Sequence, residues 1–567
     1  WNDNTEGINI WTDKINDNRY KVILNYSDGG YNRGEPNHPG GSRNTIGFFD
    51  VNEWVKFRLI LDFENKKWET ILNSESSSGL FDDFYDFEKI KQTILNNHIR
   101  IGWLNNALNT SYDYFQDFTS SMMFDNFKIF SPKSDGDAND LIAALIAMKN
   151  HVNGDNILSN AQLKNYLSII QINWSGNFAK VRNEVFDFIN AYEYKNDPLF
   201  IQSNGKLVGG SKVKIVDLPI PSQTIYYIQQ QIFDDEYTSS NISKMEGIKF
   251  EAHEAFPGKV SDSAPRVETA TVEINGDYNY VPGARHLGDT WDVIRPTGYY
   301  AAAGEVITIS IPPAFVDKEI KIMIGAHQRD HTKLSDKNRF VRISNKFVLT
   351  SESSKIANPF GGGIYVLVPE GLNLGWFDVT IKKAVKAPYF SSREGKKSDP
   401  SLWKEEVDKM HVPWVDLESD KFMTTLTSRQ MSGSLDSTTG NKTPTDPTEM
   451  MQKWDEILDA FNYAGGRPLE RTRPEYIITD SRIPDGSYGT GYPAVYQDIG
   501  MTATGVFGNG NVIPEKEFYK SGDFKTVLHE MGHLEHHPTL GNAVESIVHL
   551  PMVYFLNKYH DISLDES

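Results

Sequence analysis

The sequence predicts a multidomain α+β protein: an N-terminal β-sandwich, a small helical unit, a β-rich accessory region and a C-terminal domain built around two consecutive helices. Three observations predict it. Short alternating apolar runs punctuated by Gly, Asn and Asp fill residues 1–132 and return over 251–390. Amphipathic stretches of helical period occupy much of 141–200. Near the end, His529, Glu530 and His533 stand at helical spacing and a second helical pattern follows them. The boundaries drawn from these shifts are 1–132, 133–250, 251–390 and 391–567.

Composition narrows the function. The chain has 567 residues, long enough for several domains with sizeable cores. A formal charge of −19 argues against binding a phosphate backbone or an anionic membrane. No apolar run reaches the length of a membrane span. The absence of cysteine excludes disulfides and thiol chemistry and fits an exported protein. Aromatic residues make up 12% and Asn and Asp are frequent, which suits an extracellular protein with sugar-stacking surfaces. The chain starts at Trp1 without an initiator Met or a signal peptide, so it reads as a processed or excised piece.

Within 1–132 the strand-like runs are Tyr20 to Leu24, Trp54 to Phe63, Trp68 to Leu72, Ile99 to Trp103 and Met122 to Ile129. The pair WVKFRLILDFENKKWETIL and MMFDNFKIF, with Asp125-Asn126 in its last strand, resembles the concanavalin-like or laminin-G-like sandwich. That resemblance implies a glycan-binding module, with Trp11, Trp54, Trp68 and Trp103 as candidate contacts. The same tryptophans serve equally as core residues of such a sandwich, and both readings stand.

SPKSDGDAN (131–139) reads as a linker. LIAALIAMKNHV, AQLKNYLSIIQI and FAKVRNEVFDFINAYEY then predict three packing helices that carry no chemistry, and QTIYYIQQQIF beyond them is mixed. From Met245 to Phe390, GEVITISIP, KEIKIMIGAH, RFVRISNKFVLTS, GGGIYVLVP and WFDVTIKKAV predict strands. His327 and His331 are four apart. Asp330 and Lys333 beside them suggest a solvated loop rather than a second metal site.

The zinc motif lies in GDFKTVLHEMGHLEHHPTLGNAVESIVHLPMVYFLNKY (522–559). A helix puts His529 and His533 one turn apart, about 5–6 Å between Cβ atoms, so both imidazoles can reach one Zn²⁺. Glu530 then stands beside the metal as general base. Phe524, Val527, Leu528, Met531 and Glu535 form the opposite, mostly apolar face, which leaves the histidines off the packing surface. Pro538 and Gly541 end this helix, and Asn542 to Tyr559 predicts a second one. Glu545, in its first turn, follows His533 after eleven residues and can fold back as the third ligand. A competing reading makes Asn542 an N-cap with Glu545 as its capping-box partner, which would remove Glu545 from the metal. The ligand reading is preferred. Glu535, His536 and His537 are fallback ligands that would have to bend back sharply.

Upstream, Asp446-Pro447-Thr448-Glu449 resembles a capping box opening a helix with Met451, Trp454, Leu458 and Phe461 on its apolar face. SYGTGYPAVY (487–496) lacks regular period and suits a cleft wall. Tyr488 and Tyr492 are candidate oxyanion donors there, or ordinary packed tyrosines.

Eight blocks in order carry a family resemblance: TGYYAAAGE (297–305), IGAH (324–327), ANPFGGGIYVLVP (357–369), VTIKKAVKAPYF (379–390), VPWVDLESDKF (412–422), MMQKWDEILDAF (450–461), DGSYGTGYPAV (485–495) and HEMGH (529–533). Together they resemble the M60-like, enhancin-type metallopeptidases over roughly 260–567. The resemblance implies a gluzincin-type zinc peptidase domain, with His529, His533 and Glu545 as ligands and Glu530 as base. It also implies a secreted or cell-surface protein that cuts O-glycosylated, mucin-type substrates. The family pattern would place more helical structure after Ser567, so the catalytic domain reads as cut short and the piece as a candidate for inactivity. A glycan-binding adhesin with an incomplete peptidase domain is the alternative. Mucins are often anionic, as is this chain, so recognition has to rest on local contacts rather than long-range steering.

Overall fold

The computed structural model describes seven strands between residues 7 and 103 and, beyond them, residues 137–201, 213–279, 291–409, 411–431, 447–471, 473–483, 491–496, 522–534 and 544–563. The chain divides into two compact units, Trp1–Ser134 and Asp135–Ser567.

The first unit is all β where it is described. Strands β1 (Gly7–Asn16), β2 (Arg19–Ser27), β3 (Ser42–Asp50) and β7 (Ile99–Trp103) form one sheet in the order β3-β2-β1-β7. Strands β4 (Phe57–Asp62), β5 (Lys67–Leu72) and β6 (Glu75–Leu80) form a second, antiparallel sheet. β1 pairs antiparallel with β2 and parallel with β7. Trp54, Asp125-Asn126 and the side chains of Trp11, Trp68 and Trp103 lie outside the described residues.

The second unit opens with helices α1 (Ala138–Asn153), α2 (Asn160–Asn173) and α3 (Phe178–Lys195), where the amphipathic periods predicted them. Asp137 caps α1, and Ser159 with Gln162 forms a full capping box on α2. The mixed stretch that follows is a fourth helix, α4 (Ile220–Glu236). Its Ile- and Tyr-rich composition favours strand, but Pro219 and Pro221 open it and burial on several sides holds it.

The β-rich region builds two sheets. Strands β8 (Ala270–Asp277), β10 (Ile307–Ser310), β13 (Ser353–Ile356) and β15 (Asn373–Lys382) run in the order β13-β10-β15-β8. Strands β9 (Val293–Ala301), β11 (Lys321–Ile324), β12 (Asn345–Val348), β14 (Gly362–Val368) and β16 (Val385–Lys386) run in the order β12-β11-β14-β9-β16. Every residue of β14 is buried, as its unbroken apolar run requires of a strand covered on both faces. One hydrophobic core runs from Leu141 in α1 through these strands to Trp414. Aromatic rings join the helices to it: Tyr226 stacks on Phe340 at 5.4 Å, and Phe233 meets Phe360 at 5.7 Å.

A third sheet, β17 (Tyr389–Ser391), β18 (Trp414–Glu418), β19 (Phe422–Thr427), β20 (Glu475–Thr479) and β21 (Ala494–Tyr496), is mixed: only β18 and β19 pair antiparallel. Helix α5 (Pro400–Lys409) leads into it. Helix α6 (Thr448–Ala464) buries Met451, Trp454, Leu458 and Phe461 against it, with Trp454 stacked on Phe422 at 4.5 Å. Pro447 holds the N-cap position in helical backbone, and Asp446, the cap of the expected capping box, lies outside the described residues. Glu449 in the first turn still complements the helix dipole.

Candidate metal centre

Helix α7 (Gly522–Leu534) carries the HEMGH motif. Val527, Leu528, Met531 and Leu534 are at most 1% exposed and join the core formed by α6 and the third sheet. Burying each contributes about 2 kcal/mol, which fixes the rotation of the helix about its axis. That rotation leaves His529 and His533 half-buried on the opposite side, as the period implied. Glu535 and the side chain of Phe524 lie outside the described residues.

The second helix comes in two pieces, α8 (Val544–Ile547) and α9 (His549–His560). The break has a local cause. Pro551 lacks an N–H and its ring opposes the carbonyl of Ile547, so the ladder cannot run through. Met552, Phe555 and Leu556 anchor α9 in the same core as α7. Gly532 supplies the close approach: a Cβ there would lie 2.4 Å from the Val548 carbonyl oxygen.

The approach delivers Glu545 to the histidines. Its Oε2 lies 3.2 Å from His529 Nε2 and 3.7 Å from His533 Nε2, and the two Nε2 atoms are 3.1 Å apart. One ligand atom from each of the three residues lies within 4.8 Å of the others. Two imidazole nitrogens and a carboxylate oxygen are the donor set of an open zinc site, so the residues fit that metal. Glu530 is half-buried beside His529 on the same helix. The alternative cap, Asn542, and the fallback ligands Glu535, His536 and His537 lie outside the described residues, as does Tyr488.

Tyr492 is buried, with the Arg473 guanidinium 3.6 Å from its ring centre and Tyr476 edge-on at 6.0 Å. It lines a cavity of about 380 Å³ together with Trp291, Gln328 and Lys346.

His327 and His331 are not on a solvated loop. They are 3% and 0% exposed in an irregular segment after β11. His327 Nε2 donates to the Thr479 carbonyl at 3.1 Å. Arg339 donates to His331 Nε2 at 2.8 Å and to Asp480 Oδ2 at 3.2 Å, an ion pair closed to solvent. Burial lowers His327 to about 4 and His331 to about 3. Burial alone would raise Asp480, but Arg339 and the facing histidines hold it below the ordinary carboxylate range. The neighbouring charges at Asp330 and Lys333 mislead because the deciding partners lie far along the chain.

Sequence reasoning also passes over His549. Its Nε2 lies 3.2 Å from His529 Nδ1. The signal was available as Glu545-x-x-x-His549, a one-turn spacing that stacks two polar groups on one helical face.

Residues 263–382 match the N-terminal domain of M60-like peptidases, and residues 383–565 match Peptidase M60, enhancin and enhancin-like. The chain belongs to the M60-like peptidases. Among curated relatives, this M60-like chain is 30% identical over 229 residues to TRPM8 channel-associated factor 1 of Bos taurus, covering 40% of the chain and 22% of that protein. It is 31% identical over 223 residues to TRPM8 channel-associated factor 2 of Mus musculus, covering 39% and 22%. The chain thus spans about a fifth of the length of these relatives. Solved structures similar to it include the IMPa metallopeptidase of Pseudomonas aeruginosa, with TM-score 0.40, 15% identity, and coverage of 69% of this chain and 45% of that one. IMPa has also been solved in complex with an O-glycopeptide, with TM-score 0.37, 16% identity, and coverage of 69% and 46%. The catalytic module of ZmpA from Clostridium perfringens gives TM-score 0.37, 14% identity, and coverage of 51% and 57%. Among the described residues, no helix of the M60-like chain is long and apolar enough to cross a membrane.

Proposed function

We propose that this M60-like chain is a zinc-dependent endopeptidase in which His529, His533 and Glu545 hold the metal and Glu530 is the general base. One observation carries the reading: donor atoms from α7 and α8 converge within 4.8 Å, beside a carboxylate on the zinc helix. A zinc ion there would polarise the scissile carbonyl and make water nucleophilic near neutral pH. The Glu530 carboxylate accepts a proton from the water that attacks the carbonyl carbon. It then delivers that proton to the departing amine nitrogen as the C–N bond breaks. Placing the histidines off the buried face keeps this chemistry open to an extended peptide.

The substrate class we propose is the O-glycosylated, mucin-type protein, met outside the cell or at its surface, with residues 1–132 as a glycan-binding module. The family resemblance supports this part, together with a charge of −19 that argues against nucleic acid as the partner.

Glu530→Gln tests the mechanism. It is expected to retain one zinc and lose about 10²–10⁴-fold in hydrolysis. Wild-type turnover by that variant would remove the base assignment. Cleavage of one mucin before and after enzymatic deglycosylation tests the substrate class. Equal rates would point to unglycosylated peptides, and stoichiometric zinc without hydrolysis of either would favour the adhesin reading.

A further inference from the structure

We infer that His549 is a positioning residue for His529, holding that imidazole in the one tautomer and ring orientation that present Nε2 to the metal. The inference rests on the metal-centre reading above. His533 Nε2 and Glu545 Oε2 both face His529 through its Nε2, at 3.1 and 3.2 Å. The other ring nitrogen, Nδ1, faces His549 Nε2 at 3.2 Å, with the two rings 4.7 Å apart and inclined at 51°. An imidazole that offers its Nε2 lone pair to a metal carries its proton on Nδ1. That N–H needs an acceptor, because a ring free to rotate or change tautomer loses part of its affinity for the ion. His549 Nε2 is the acceptor at the required distance.

Local structure explains why it is there. Glu545 and His549 lie four residues apart across the α8–α9 break, so one segment brings both the third donor and the partner of the first. Val548, between them, is buried with its carbonyl against Gly532, which brings His549 within reach of α7. Metal-bound histidines more often donate to a carboxylate or a backbone carbonyl. A neutral imidazole in that place orients the ligand without adding a second negative charge beside Glu545.

The test uses the full 567-residue chain as wild type, His549→Ala and His549→Gln. Zinc affinity is measured by competition with a chromophoric chelator, the visible spectrum is recorded after cobalt substitution, and thermal unfolding is recorded without metal. His549→Ala is expected to bind zinc about 10–100-fold more weakly, with an altered cobalt spectrum and unchanged metal-free unfolding. His549→Gln, whose Oε1 can accept the same hydrogen bond, should recover most of the affinity. Wild-type affinity and spectrum in His549→Ala would overturn the positioning role and leave the metal centre standing. Equal weakening in both variants would also overturn it, because the hydrogen bond would not be what His549 supplies. A wild-type chain that binds no zinc would overturn the metal centre and this role together.

Discussion

Two histidine pairs in this chain share the spacing His-x-x-x-His and end in opposite situations. His327 and His331 lie in irregular backbone, buried, with one ring donating to a carbonyl and the other accepting from Arg339. His529 and His533 lie on a helix, half-buried, with both Nε2 atoms turned to one carboxylate. In the first pair the His331 lone pair that a metal would need is taken by a guanidinium. In the second, Glu545 adds an oxygen donor and a negative charge. Spacing therefore does not define a metal site by itself. The backbone that carries the pair and the sign of the nearest charge decide it.

The largest expected effect breaks the first region. Arg339→Leu takes the guanidinium away from buried Asp480, which keeps the Arg482 N–H and the facing histidines, and should cost about 3–5 kcal/mol in urea unfolding, since a buried carboxylate stripped of its counter-charge is far worse than a lost surface pair. His533→Ala should instead abolish zinc binding in a chelator titration while leaving urea unfolding within about 1 kcal/mol, because the ring is not in the core. If both variants lost the same stability, the contrast between a structural pair and a proposed ligand pair would fail.

A smaller effect sharpens the second region. Gly532→Ala puts a methyl group into the Val548 carbonyl and must push α9 off α7. A loss of about 1–3 kcal/mol is expected, with weaker zinc binding because Glu545 and His549 move with α9. Unchanged zinc affinity would show that the approach of the helices is not what sets the centre.

A last effect, read as a pH slope rather than as a fixed loss, concerns a second buried polar group at the sheet junction. Asp416 accepts from Tyr365 and Thr425, and burial raises it to about 7. Its unfolded value is about 3.9, so the folded state holds the proton more tightly. The associated stability is present below pH ~4 and is lost as pH rises towards 7. Asp416→Asn should remove this slope, and its melting temperature relative to wild type should rise between pH 4 and 7. A constant difference across that range would mean the carboxyl is ionised throughout.

Much of the centre was legible because it is local. The HExxH spacing and the apolar face of α7 follow from helical period within 522–559, and Glu545 stood among the candidates there by its distance along the chain, though the Gly532 approach is what brings it to the histidines. The α6 face was legible for the same reason. What escaped depends on contacts between distant segments. Arg339 reaches Asp480 across the β-rich region and the third sheet, and no window around His331 contains either that carboxylate or its effect. Helix α4 was missed because its residues favour strand and only the surrounding core makes it a helix.

The rings that tie α4 to the β-rich region bear on where the chain can be cut. The match to M60-like peptidases begins at residue 263, yet Phe340 and Phe360 are covered by Tyr226, Phe233 and Phe250, all upstream of it. A piece trimmed to the family boundary would leave those two phenylalanines facing water. The hydrophobic core of this peptidase region therefore starts with helices that no catalytic argument would have kept.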